Sequence, residues 1–300
     1  MEPGGLGPGP EVEESFDLDG DAVARLLGKG GEELERLRRE FPGCRLEVLG
    51  KRAHSHIRLA GPPMAVGACR AELDRMVRQF LESSSSDYTH FVSLPLNSPA
   101  LIAALEGFRD RALALDPEER RGLDPTVFAK PQHFHLTVCM LKLYSEASRR
   151  RASEVLRGFD FTALRARPLC FSLGGLATFS KSLERADVLF AQVAEDAGGR
   201  LQALADALCR AFGEAALLLP RDRKPVKLHA TIVNTRFRRG PAGKGGGRRR
   251  TPCHCSRVVE RLGRGLSSGE LHLEEVHLSQ RGTYRESDGY YLPLEVVKIL

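Results

Sequence analysis

Three hundred residues, 42% of them hydrophobic, leave room for two domains with real cores. No apolar run reaches the length of a membrane span, and the opening MEPGGLGPGPEVEES lacks the basic-then-apolar plan of a secretory signal; the seven cysteines, odd in number and mostly set in apolar patterns, read as reduced thiols of cytosol or nucleus rather than a disulfide framework. The formal charge of +6 is concentrated: between Arg236 and Arg264 ten Arg and Lys face one acid, Glu260, so that segment carries nine net positive charges and the rest of the chain three net negative ones.

Residues 1–13 are rich in Gly and Pro and are expected to be disordered. Residues 14–83 read as one unit. A short strand at 15–18 leads through Asp19, a helix cap, into a helix at 22–27. Gly28-Lys29-Gly30-Gly31 then opens a strongly helix-forming stretch, Glu32–Glu40, which Phe41-Pro42-Gly43 ends. CRLEVL at 44–49 and HSHIRL at 54–59 alternate as strands, and Gly61-Pro62-Pro63 turns into a long helix at 64–81. The order β-α-α-β-β-α, with a G-x-x-G between its first two helices, resembles a KH domain. A lone G-x-x-G is an ordinary turn; its place in the element order gives it weight. Glycines let a backbone come close, and a helix N-terminus offers free N–H groups to phosphate. The resemblance implies a loop that clamps single-stranded RNA, with Gly28, Lys29, Gly30 and Gly31 as RNA-binding residues. His54 and His56 read as structural.

Ser83–Asp87 (SSSSD) is a polar stretch, and residues 84–87 are expected to be a hinge. The second domain is expected at 88–300. Strands are predicted at 88–96, 168–177, 186–193, 271–279 and 290–297. Helices are predicted from a Ser98 cap to 113, at 145–158 and at 198–212, the last with Leu201, Leu204, Ala205 and Leu208 on one face. The Gly- and Arg-rich insertion at 236–268 is expected to be a mobile loop that touches RNA, serves as an import patch or is simply solvated.

Two further strands carry the chemistry. In QHFHLTVCML (132–141), period-two alternation puts His133, His135 and Thr137 on one face. In VKLHATIVNT (226–235) it puts Lys227, His229 and Thr231 on one face, in the same register. Cleavage of RNA by its own 2′-hydroxyl, or hydrolysis of a cyclic phosphate, needs one proton removed and one delivered. Two imidazoles supply both near neutral pH without a metal, so His135 and His229 are the candidate catalytic pair. Thr137, Thr231 and Lys227 are placed to bind the phosphate. A single H-x-[ST] is unspecific, and a third copy, His277-Leu278-Ser279, has Glu275 where the others have a basic group; it reads as a neighbouring strand.

Paired H-x-T strands resemble the two-histidine (2H) phosphoesterase superfamily. THFVSLPLN at 89–97, the strand at 135–140, DVLFAQV at 187–193, VKLHATIVNT and HLSQR at 277–281 resemble, in order, the activating signal cointegrator 1 complex subunit 1 family. The resemblance implies an α+β protein, an N-terminal KH domain followed by a bilobal 2H phosphoesterase-like domain, with His135 and His229 across one groove. It implies a nuclear subunit of a complex serving transcriptional coactivation and alkylation-damage DNA repair; the reduced thiols fit the cytoplasm as well. Its partners would be single-stranded RNA and the other complex subunits, with no membrane and no cofactor. The short Arg/Gly-rich insertion departs from the family's longer polar one.

Two functional readings stay open: a metal-independent 2H phosphodiesterase acting on RNA or cyclic phosphate ends, and a non-catalytic single-stranded nucleic-acid adaptor whose cleft recognises a phosphate. No G-x-x-x-x-G-K-[ST] or H-E-x-x-H occurs. Cys253-His254-Cys255 lacks the second ligand pair of a structural zinc site, and no metal is expected there.

Overall fold

Three carboxylates, Glu32, Glu33 and Glu35, open the segment 32–40, and Arg38 and Arg39 close it. That order suits the helix dipole at both ends. The segment is helical in the computed structural model, which describes residues 10–51, 54–195, 198–238, 251–266 and 268–299. Residues 1–9 of the expected disordered terminus and 239–250 and 267 of the basic insertion lie outside the described residues. The chain divides into two compact units, one of residues 1–89, 142–152 and 216–219, the other of 90–141, 153–215 and 220–300. No helix among the described residues is long and apolar enough to cross a membrane.

The first unit follows the predicted order: β1 (Val12–Asp17), α1 (Gly20–Leu26), α2 (Glu32–Glu40), β2 (Arg45–Lys51), β3 (His54–Gly61) and α3 (Pro63–Glu82). Its antiparallel sheet runs β1-β3-β2. Helix α3 starts at proline, whose missing N–H costs nothing in a first turn. It buries Val66, Cys69, Leu73, Met76 and Phe80 at helical spacing against Leu37, Ile57 and Leu59. Each such side chain contributes roughly 1.5–3 kcal/mol of burial. Within this unit the Lys142 ammonium donates to the carbonyls of Leu81 (2.5 Å) and Ser83 (3.2 Å) and to Ser86 Oγ (2.7 Å), satisfying the C-terminal end of α3.

The second unit is built on one antiparallel sheet. Its elements are β4 (His90–Pro95), α4 (Pro99–Leu113), β5 (His135–Leu141), β6 (Cys170–Thr178), β7 (Val188–Glu195), α7 (Arg200–Glu214), β8 (His229–Asn234), α8 (Ser256–Leu262), β9 (Glu270–His272), β10 (Glu275–Tyr284) and β11 (Tyr291–Lys298). Two helices complete the numbering, α5 (Glu146–Arg157) and the short α6 (Thr162–Ala166). The Ser98 hydroxyl caps α4 by accepting from the Leu101 amide, as expected. Helix α7 buries Leu201, Leu204, Ala205 and Leu208, the predicted face.

The eight strands run β11-β10-β4-β5-β8-β7-β6-β9. Four belong to each half, and the halves meet at a single register pair, Leu136 with Ala230. The domain is therefore bilobal, with the two H-x-T strands at the seam.

Three expectations change. The strand predicted over 271–279 is two strands on opposite lobes: β9 pairs with β6, whereas β10 pairs with β4 and β11. Leu273, buried with its amide on the Leu169 carbonyl, divides them. The strand predicted from 226 begins at His229, because α7 holds the preceding backbone. The Val226 amide donates to Asp206 Oδ1 (2.8 Å), and Gln202 donates to the Val226 carbonyl (2.8 Å). The strand at 132–141 begins at His135, after a 3₁₀ turn at Pro131–His133. The basic stretch also contains α8, which its composition concealed.

Candidate active site

The seam fixes where the histidines lie. Opposite strands are antiparallel, so the pair Leu136–Ala230 places His135 beside Thr231 and Thr137 beside His229 on one face. Both strands bulge at the equivalent residue. In the β4–β5 ladder Ser93 pairs with Thr137 and Val92 with Cys139, leaving Val138 extra. In the β7–β8 ladder Phe190 pairs with Thr231 and Leu189 with Val233, leaving Ile232 extra. A bulge re-aims the side chains around it, and here the two bulges repeat the same local geometry.

The repeat extends to the imidazoles. His135 Nδ1 donates to the His133 carbonyl oxygen at 2.7 Å, and His229 Nδ1 donates to the Lys227 carbonyl oxygen at 2.6 Å. A carbonyl only accepts, so each Nδ1 carries the hydrogen and each Nε2 is left for chemistry. His135 Nε2 lies 3.0 Å from Thr137 Oγ1, which donates to it when the ring is neutral.

The two rings differ in surroundings. His135 sits against Phe91 (ring centroids 5.0 Å) and Tyr291 (5.6 Å). Burial pushes its pKa down to about 4; the His133 carbonyl opposes this, and the charges of His229 and His133 add to it. His229 packs edge-on to Phe179 (4.8 Å) and Phe190 (5.4 Å). Its pKa is lowered too, first by burial and further by the Lys227 charge, with the Lys227 carbonyl opposing.

A cleft of about 600 Å³ opens over His135, Thr137 and Thr231. Its other walls were not legible as site residues: Lys130, His133, Arg236, Phe237, Tyr284 and Tyr291. The His133 ring stacks on Tyr284 at 4.3 Å, within 4° of parallel, and Lys130 Nζ stands 5.9 Å over the same tyrosine. This is a flat aromatic wall with one cation, Lys130, at hand. Burial pushes the Tyr291 phenol up to about 12, so it remains a neutral donor.

Among the predicted phosphate ligands, Thr137 and Thr231 line the cleft. Lys227 lies outside the strand, with Nζ 4.7 Å over the Phe179 ring. The third motif is separate. His277 is buried on β10, with Nε2 2.7 Å from Glu275 Oε2 and an edge-on Tyr290 at 5.5 Å. Burial lowers its pKa despite Glu275. Cys253 and Cys255 are buried, and burial raises their thiols to about 11 and about 12.

In the first unit, Gly28, Lys29, Gly30 and Gly31 form the link between α1 and α2. The three glycines have φ of +77°, +75° and +81°, the left-handed region that disfavours a side chain. A Cβ at Gly30 or Gly31 would meet nothing within 4 Å, so the loop is open to an approaching backbone.

Residues 88–299 match the family model of the AKAP7 2'5' RNA ligase-like domain, and residues 13–75 match that of the KH domain. The chain is 29% identical over 241 residues to activating signal cointegrator 1 complex subunit 1 of Mus musculus, across 75% of this chain and 66% of the relative. It therefore spans a little under two thirds of that relative's length. Partial likeness to solved structures includes E. coli LigT complexed with NADP+ (13% identity, 71% of this chain and 98% of that one, TM-score 0.40). It also includes TT0787 of Thermus thermophilus (20%, 70% and 97%, TM-score 0.41) and the fourth KH type I domain of human Vigilin (17%, 29% and 83%, TM-score 0.24).

Proposed function

The chain belongs to the AKAP7 2'5' RNA ligase-like domain family, and from that premise we propose that it binds single-stranded RNA through its KH loop and acts on RNA phosphodiesters, or on cyclic phosphate ends, at His135 and His229. One observation carries the reading: two imidazoles on facing strands, each with Nδ1 tied to a carbonyl and Nε2 left for proton transfer. Two such groups account for both proton transfers, so the reaction needs no metal. His135, held neutral by burial, removes the proton from the attacking hydroxyl. His229, which must enter protonated despite its lowered pKa, delivers the proton to the leaving oxygen. Thr231 donates to a non-bridging oxygen, where charge grows, and Thr137 does so once its hydroxyl turns from His135 Nε2 to the phosphate. Lys227 adds a positive charge near His229, and its phosphate contact belongs to this proposal.

The test is cleavage of end-labelled single-stranded RNA in EDTA by the full chain, beside a His135→Ala/His229→Ala double variant. Cyclic or simple phosphate ends from wild type alone would support the reading. Activity that dies in EDTA would overturn the metal-free chemistry.

A second reading, a non-catalytic adaptor whose cleft only recognises a phosphate, is favoured by the engagement of His135 Nε2 by Thr137. It predicts RNA binding without cleavage. The wider role is a nuclear subunit, shared with cytoplasm, of a complex for transcriptional coactivation and alkylation-damage repair, alongside other subunits. Membership of a complex is what the mouse relative's name as a complex subunit supports.

A further inference from the structure

Away from the cleft, three metal-ligating side chains converge where β9 joins β6. Cys170 pairs with His272, and Ser172 pairs with Glu270. Residues two apart on a strand share a face, so Cys170, His272 and Glu270 share one. Cys170 Sγ is 3.2 Å from His272 Nδ1. One donor atom from each of the three lies within 4.8 Å of the others. In a tetrahedral zinc site, with Zn–S about 2.3 Å and Zn–N about 2.05 Å, sulfur and nitrogen stand about 3.6 Å apart. A shift of roughly half an ångström would bring Cys170 and His272 to that separation, with the Glu270 carboxylate free to swing in from the exposed side.

We infer that Cys170, His272 and Glu270 form a zinc site that clips β9 to β6, with water as the fourth ligand. The donor set supports zinc. One thiolate, one imidazole and one carboxylate suit a borderline-soft ion, whereas calcium and magnesium take oxygen shells. Access supports it as well: of the seven cysteines, Cys170 is the one that is not buried. The fold gives the ion a task, because β9 has three residues and lies at the sheet edge, where so short a strand gains little from its own ladder. The Glu270–His272 pair, 3.5 Å apart and well exposed, is too weak a salt bridge to serve instead. On binding, the Cys170 S–H bond breaks, the proton leaves to solvent and the thiolate bonds to the ion, so affinity rises with pH. The site lies apart from the cleft over His135, Thr137 and Thr231 and plays no part in the metal-free reaction proposed there.

The test uses the full chain, stripped with EDTA and desalted. Zinc is titrated against a chromophoric chelator, and cobalt(II) is titrated by absorption. Wild type is expected to take one zinc per chain more tightly than its scattered surface groups do, to show a thiolate-to-cobalt charge-transfer band and to melt higher with zinc. Cys170→Ser should abolish the band, and His272→Ala should weaken zinc binding at least about tenfold, with Glu270→Gln weakening it less. Equal zinc affinity in wild type, Cys170→Ser and His272→Ala would overturn the site. So would a wild-type cobalt complex without the thiolate band, which decides the matter even if a variant folds poorly. RNA cleavage in EDTA is read separately and is indifferent to this outcome.

Discussion

Acid should loosen the second unit through its wholly or partly buried imidazoles, and His135 gives the effect a size. In the fold its pKa lies at about 4, pushed down by burial; in an unfolded chain it lies near 6.5. The unfolded state therefore binds the proton more tightly, and stability falls as pH drops below about 6.5, the loss being complete below about 4. At about 1.4 kcal/mol per pH unit, the gap comes to about 3 kcal/mol, of which about 2 kcal/mol is reached by pH 4.5. The perturbation is His135→Gln, which removes the titrating group and keeps a polar side chain beside Thr137. The assay is native-state hydrogen exchange of β4 and β5 peptides at pH 7 and pH 4.5, because those strands report this unit alone. His133, His229 and His277 shift in the same direction and are present in both proteins, so their contributions cancel. The unfolding free energy of wild type minus variant should fall by about 2 kcal/mol on acidification. A difference that stays constant with pH would mean His135 protonates as readily in the fold as outside it, and it could not be singled out as the neutral base.

Other outcomes follow from the same geometry. Gly30→Asp puts a carboxylate where RNA phosphate would lie; RNA affinity by fluorescence anisotropy should fall at least about tenfold, at a local cost of about 1 kcal/mol for the left-handed φ. Normal RNA affinity would remove the loop from the interface. Thr137→Val deletes the hydroxyl beside His135 Nε2 and should lower kcat about a hundredfold with KM little changed; a change confined to KM would make Thr137 a binding contact only. Lys227→Met removes a charge that lowers the His229 pKa. The basic limb of the kcat/KM profile should move to higher pH, and an unmoved limb would exclude His229 as the acid.

The histidine strands were legible because period-two alternation survives in a sequence: His135 with Thr137 and His229 with Thr231 share faces as read. The KH unit was legible because each of its breaks, from Gly28 to Pro63, carries its own turn or cap chemistry. What escaped depends on distant partners. Lys227 was read as a strand residue because nothing local shows that Asp206 and Gln202, from α7, hold the Val226 backbone. Leu271–Ser279 alternates well enough for one strand, and only the pairing with β6 on one side and β4 on the other divides it. The aromatic wall of Tyr284, Tyr291 and His133 is assembled from β10, β11 and a turn before β5, so no window of sequence contains it. The equivalent bulges at Val138 and Ile232 are a property of ladders and have no residue signature.

The bond from each of the two rings to the carbonyl two residues earlier has a consequence for how such a site can change over time. A carbonyl is present whatever side chain its residue bears, so the tautomer of His135 does not depend on residue 133 being histidine, nor that of His229 on residue 227 being lysine. Changes at those two positions leave the hydrogen on each Nδ1 in place, although their charges still bear on the two ring pKa values. Their side chains stand over Tyr284 and Phe179, beside the two rings. Selection can therefore reshape the surroundings of both rings at residues 133 and 227 without changing their tautomers, and a search for altered pH dependence should begin by randomising that pair.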